Sequence, residues 1–90
     1  MATVVIKVKI MPESPSVNLG LIKEAIIKAL SPEGAKNMTF EEQPIAFGLK
    51  ALILKTDMPE EKGTDLVEAK ISAIKDVSSV TIEDYRRAFG

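Results

Sequence analysis

Apolar and polar positions alternate at both ends of the chain and recur at three- and four-residue intervals in two stretches between them. In the first element Val4, Ile6, Val8 and Ile10 fall on one side, with Thr3, Val5, Lys7 and Lys9 on the other. Period-two patterning with β-branched residues marks a half-buried strand. Pro12 and Pro15 close it, because proline has no N–H for a ladder and sets a turn. Leu19, Ile22, Ile26 and Ala29 then repeat at helical spacing, widened by Ile27 and Leu30. Ser16 or Asn18 stands where a cap is needed, and Ser31-Pro32-Glu33-Gly34 supplies the stop.

Met38 to Gln43 predicts a second strand and Leu49 to Thr56 a third. Leu49, Ala51 and Ile53 alternate with Leu52 and Leu54, so both faces of the third strand are apolar, as a central strand requires. The linker Gln43 to Gly48 reads equally as a hairpin turn or an irregular crossing. After the polar run around Glu60-Glu61-Lys62-Gly63, Thr64 or Asp65 is placed to cap a second helix. Glu68 stands three residues after Asp65, the spacing of a capping box. Val67, Ile71 and Ile74 form its buried stripe. A last strand follows Asp76, with Val80 and Ile82 on one side and Thr81, Glu83 and Tyr85 on the other.

The order is strand, helix, strand, strand, helix, strand. Right-handed crossovers place both helices on one face of a four-stranded antiparallel sheet. The expected fold is therefore α+β, a ferredoxin-like split βαβ sandwich (βαββαβ), forming one domain over residues 1–90. Ninety residues bury only roughly 60–65% of their unfolded surface, which demands a compact, regular core. An apolar fraction of 46% beside 28% charged residues argues against disorder. No segment approaches the ~20 apolar residues of a membrane span, and no signal peptide is visible, so a cytoplasmic protein is expected.

Charge and chemistry narrow the function further. Twelve basic and thirteen acidic residues leave a net charge of −1, which offers no global field for nucleic acid or membrane. With no cysteine and no histidine, disulfides and thiolate or imidazole chemistry are excluded. The acidic pairs Glu41-Glu42, Glu60-Glu61 and Glu83-Asp84 are sequence neighbours, which diverge on a strand, and they read as solvated surface. Gly63-Thr64-Asp65 lacks the lysine and flanking glycines of a phosphate loop. No catalytic, metal or cofactor residues are expected.

An RNA-binding ferredoxin-like module is one alternative, but the third strand lacks the basic-aromatic signature of such modules. A small acylphosphatase-like enzyme is another. It needs an arginine and an asparagine around an anion, and the first strand–helix connection has Asn18 but no arginine. Two features remain. Phe47, between Pro44 and Gly48, is either packed in the core, the ordinary role of phenylalanine, or an exposed anchor for a partner. Arg86 and Arg87 lie beside Tyr85 near the end of the chain, suited to an oxyanion on another molecule or simply to a charged, solubilising strand.

The stretch Pro44-Ile45-Ala46-Phe47-Gly48-Leu49-Lys50-Ala51-Leu52, followed by Asp57-Met58-Pro59-Glu60-Glu61-Lys62-Gly63-Thr64-Asp65-Leu66, resembles the elongation factor 1-beta exchange domains, in particular their archaeal form. The resemblance is specific over Pro44 to Leu66 and consistent in element order elsewhere. It implies the same split βαβ fold and a non-catalytic role: release of GDP from elongation factor 1-alpha, in its GDP-bound and nucleotide-free states, during translation elongation. It implies neither a direct nucleic-acid nor a membrane partner, and a monomer when free. In the family's eukaryotic members the aromatic matching Phe47 enters a hydrophobic pocket beside the nucleotide site, and a lysine near the C-terminus displaces the nucleotide's Mg²⁺. An ungapped reading puts Arg87 at that lysine. The implied partner-binding residues are Phe47, Gly48, Lys50, Arg86 and Arg87. Arginine in place of lysine, and the continuation through Phe89-Gly90, depart from the family pattern.

Overall fold

The computed structural model describes residues 2–89. The strands are β1 (Thr3–Pro12), β2 (Lys36–Ala46), β3 (Leu49–Pro59) and β4 (Val77–Phe89); the helices are α1 (Leu19–Leu30) and α2 (Gly63–Ser72). The sheet runs β2-β3-β1-β4 with every neighbouring pair antiparallel, as the split βαβ connectivity requires. Strand β1 alternates as expected: Val4, Ile6, Val8 and Ile10 are all fully buried. They meet Leu52, Leu54 and Met58 of β3, Ile22, Ile26 and Leu30 of α1, and Val67 and Ile71 of α2 in one cluster. Both helices therefore cover the same sheet face. Among the described residues the other face carries no helix.

Local chemistry explains the boundaries. The Asn18 side chain accepts a hydrogen bond from the Gly20 N–H at 2.9 Å, capping α1. After α1 a short 3₁₀ turn over Ser31–Glu33 ends at Gly34, whose φ of +94° is the left-handed conformation glycine adopts without strain. A Cβ at Gly34 would sit 2.9 Å from Pro59 Cγ, so this turn also packs against the end of β3. Helix α2 departs from expectation. It begins at Gly63 with Lys62 in the cap position and no side-chain cap bond, so neither Thr64 nor Asp65 caps it. The 3₁₀ turn over Glu60–Lys62 leads directly into the helix and leaves Asp65 inside its first turn.

Strands β2 and β3 are longer than the pattern suggested, and a two-residue loop, Phe47-Gly48, joins them in a hairpin. The central position of β3 accounts for its two apolar faces: Ala51 and Leu52 are fully buried and Ile53 is 9% exposed. In β4 the register against β1 slips by one residue between Ile82 and Asp84, leaving Glu83 as a bulge. The extra residue reverses the expected facing of the residues that follow it, up to the next register shift after Arg87. Tyr85 therefore pairs with Ile6 and joins Ile82 on the helix side instead of opposing it, correcting the simple alternation.

Candidate functional site

The hairpin tip places Phe47 entirely in solvent. Its exposure is 100%, with Ile45 beside it at 42%. Core packing is thus excluded for Phe47. Both tip residues have positive φ, +53° for Phe47 and +79° for Gly48, the pairing that two-residue hairpins of type I′ demand. Glycine holds that conformation freely. A phenylalanine there strains its backbone by roughly 1–2 kcal/mol and hides none of its ring from water. Phe47→Asn, with a residue suited to the left-handed region, is accordingly expected to raise stability by about 1 kcal/mol. Chemical denaturation would register this as a higher midpoint at unchanged slope.

Lys50 lies on the flank of the same hairpin. It pairs with Pro44 across the ladder and shares the helix-side face with Leu52. Its Nζ is 3.7 Å from Glu42 Oε1, and Lys23 Nζ of α1 is 3.9 Å from the other carboxylate oxygen. Gly48 and Lys50 help line a hollow of about 410 Å³ with Pro15 and Asn18, so the β1–α1 connection borders the tip.

The arginines stand at the far end of the sheet. In the ladder Arg86 pairs with Val5 and Arg87 with Val4, and both side chains border one concavity at this end of the open face. Arg86 Nε lies 2.9 Å from Asp84 Oδ2. It borders an open-face concavity of about 750 Å³ that also includes Lys7, Lys55 and Asp57. Arg87 is held by Glu60, donating from Nε to Oε2 and from a terminal nitrogen to Oε1, both at 2.6 Å. The departure at Phe89-Gly90 lies outside the described residues, apart from the pairing of the Phe89 backbone with Thr3.

The Glu60–Arg87 pair perturbs both partners. The Arg87 hydrogen bonds hold the Glu60 carboxyl below its ordinary value of 4.5, against an opposing desolvation, with the Arg87 charge adding the least. The same hydrogen bonds raise Arg87 above its own ordinary value. With the folded-state carboxyl lowered, the pair stabilises the fold at neutral pH and loses that contribution as pH falls below 4.5. An NMR titration of the Glu60 side chain is expected to give a midpoint under 4.5 that rises to the ordinary range in Arg87→Ala.

Glu60 was not among the expected site residues. As one of two adjacent glutamates in a polar loop it carries no local sign of a partner twenty-seven residues away. From Leu49, next to the tip, to Asp57, whose ladder partner Val5 faces Arg86, the strand covers about 27 Å at ~3.4 Å per residue. The whole molecule measures 42 × 21 × 19 Å. A ligand pocket of ~300–1,000 Å³ is roughly 7–10 Å across. Phe47 and the arginines therefore cannot share one pocket; they stand at two separate ends of the sheet.

The alternatives find no site among the described residues. Phe40 packs on the core and Tyr85 faces the helices. The open face of β1 and β3 thus presents Val5, Lys7, Lys9, Ala51, Ile53 and Lys55, with no ring on which a base stacks. Asn18 is committed to capping at the end of the sheet remote from both arginines, so no arginine–asparagine anion cradle forms. No described helix is long and apolar enough to cross a membrane.

Comparison with known proteins agrees with this architecture. Residues 5–88 match the EF-1 guanine nucleotide exchange domain. An elongation factor 1-beta of Methanobrevibacter smithii is 47% identical over 88 residues, covering 97% of this chain and 98% of the relative. Those of Methanothermobacter thermautotrophicus and Haloarcula marismortui are each 41% identical over 88 residues, with 97% of this chain covered and 98% and 99% of the relatives. A match over nearly the whole length, on a βαββαβ sheet with an exposed aromatic at its hairpin tip, places the chain in the family of EF-1 guanine nucleotide exchange domains.

Proposed function

We propose that this chain grips elongation factor 1-alpha at two places, through the Phe47 tip at one end of its sheet and the arginines of β4 at the other. The chain is a non-catalytic guanine nucleotide exchange factor for that GTPase. The observation that carries the two-point reading is Phe47, a fully exposed ring at a left-handed turn position that glycine or asparagine would fill with less strain. Backbone strain of this kind persists where it serves a site.

A GTPase holds GDP through phosphate-cradling amides and Mg²⁺. In the proposed complex Phe47 and Ile45 fill an apolar pocket of the partner, with Gly48 letting the backbone approach and Lys50 at the margin. The arginine end engages acidic groups that support the metal. Contacts that form fully only without nucleotide raise the free energy of the GDP-bound ternary state, and nucleotide weakens factor binding reciprocally. Each tenfold loss of GDP affinity requires about 1.4 kcal/mol of coupling. A single buried aromatic anchor supplies ~2 kcal/mol or more. The factor thus binds both GDP-bound and nucleotide-free partner, acting in the cytoplasm as a monomer when free, and GTP entry releases it.

The test is stopped-flow release of labelled GDP from elongation factor 1-alpha, with the unaltered chain, Phe47→Ala and Arg87→Ala compared at several Mg²⁺ concentrations. Both substitutions should slow release, and only the arginine substitution should alter its Mg²⁺ dependence. Wild-type rates from both variants would remove the two-point grip.

A further inference from the structure

A guanidinium is a planar fork with five N–H donors and two edges, each able to meet an oxyanion. In Arg87 one edge, formed by Nε and a terminal nitrogen, is taken up by Glu60. The edge between the two terminal nitrogens stays available, and the side chain is 57% exposed. Glu60 is itself anchored, because its N–H donates to the Ala2 carbonyl at 3.1 Å and it opens the 3₁₀ turn after β3. Arg87 in turn is fixed by its pairing with Val4. Two backbone-anchored residues thus hold one guanidinium in a single plane.

We infer that Glu60 is a positioning residue, fixing Arg87 in the free factor so that its open edge meets a carboxylate of the GTPase. The inference rests on the arginine-end contact proposed above and adds the residue that prepares it. An unrestrained arginine loses rotamer freedom on binding, which weakens an interface by roughly two- to tenfold per side chain. Glu60 removes that loss beforehand. Its negative charge also offsets the positive charge of Arg87, so the contact works through directed hydrogen bonds more than through net charge.

The experiment measures stimulated GDP release from elongation factor 1-alpha against factor concentration for the unaltered chain, Glu60→Ala, Glu60→Gln, Arg87→Ala and the double variant Glu60→Ala/Arg87→Ala. Glu60→Ala is expected to raise the half-saturating concentration about three- to tenfold. Glu60→Gln, which keeps the shape and one acceptor, should fall between it and the unaltered chain. In the Arg87→Ala background, loss of Glu60 should add nothing, whereas a merely structural glutamate would weaken binding equally in both backgrounds. Equal losses in the two backgrounds, or half-saturation unchanged or lowered by Glu60→Ala, would overturn the positioning role. If Arg87→Ala itself has no effect, the arginine-end contact falls and this inference with it. If Arg87→Ala weakens the factor and Glu60→Ala does not, only the role of Glu60 falls.

Discussion

Phe47→Ala is expected to slow factor-stimulated GDP release about tenfold or more while leaving the domain folded. The ring touches no core residue and is fully exposed, so its removal opens no cavity. Alanine inherits the left-handed backbone, so the strain is retained and the thermal midpoint should stay within a few degrees. The loss therefore belongs to the complex. A buried aromatic anchor is worth ~2 kcal/mol or more, enough for a thirtyfold change, and some is returned by contacts that survive around Ile45 and Pro44. Because the tip lies some 27 Å from the arginines, Phe47→Ala should leave the Mg²⁺ dependence of release unchanged. Unaltered exchange by a folded Phe47→Ala chain would leave the exposed ring without a role.

The same residue shows where the sequence is informative and where it stops. Alternation in Val4 to Ile10 and the two-faced apolar run of Leu49 to Leu54 foretell a half-buried strand and a central one, because side-chain direction along a strand follows from sequence position alone. The order of elements then leaves few topologies, and the observed sheet is the expected one. Phe47 resists such reading. An apolar residue in a linker is equally consistent with a packed ring, and its exposure follows from a two-residue hairpin whose length depends on how far β2 and β3 pair.

Tyr85 and Glu60 were hidden for related reasons. The bulge at Glu83 exchanges the expected facing of Asp84 to Arg87, and no local residue pattern announces it. That one inserted residue sets Arg87 opposite Val4, within reach of Glu60. Adjacent glutamates in a loop read as solvated charge until tertiary structure brings a guanidinium beside one of them. The capping pattern of Asp65 and Glu68 failed differently: the 3₁₀ turn after Pro59 starts the helix three residues early and leaves the capping box inside it.

Leu54→Ala is expected to have the opposite profile to Phe47→Ala. Leu54 is fully buried in β3, paired with Val8 on one side and Phe40 on the other. Deleting its branched end removes apolar burial and leaves a cavity that the strands on both sides keep from collapsing, at a cost of about 3 kcal/mol. A domain of this size has only roughly 5–13 kcal/mol of stability, so the thermal midpoint should drop on the order of 12–24 °C. At temperatures where the variant remains folded, Phe47 and Arg87 are untouched, and stimulated GDP release should stay near the unaltered rate. On heating, both contacts should fail together, since β3 begins beside the hairpin tip and runs directly into Glu60. Calorimetry and exchange measured over one temperature series would check this. A wild-type midpoint would contradict the packing of Leu54, and slow exchange well below the midpoint would mean that core packing also sets the shape of the two contacts.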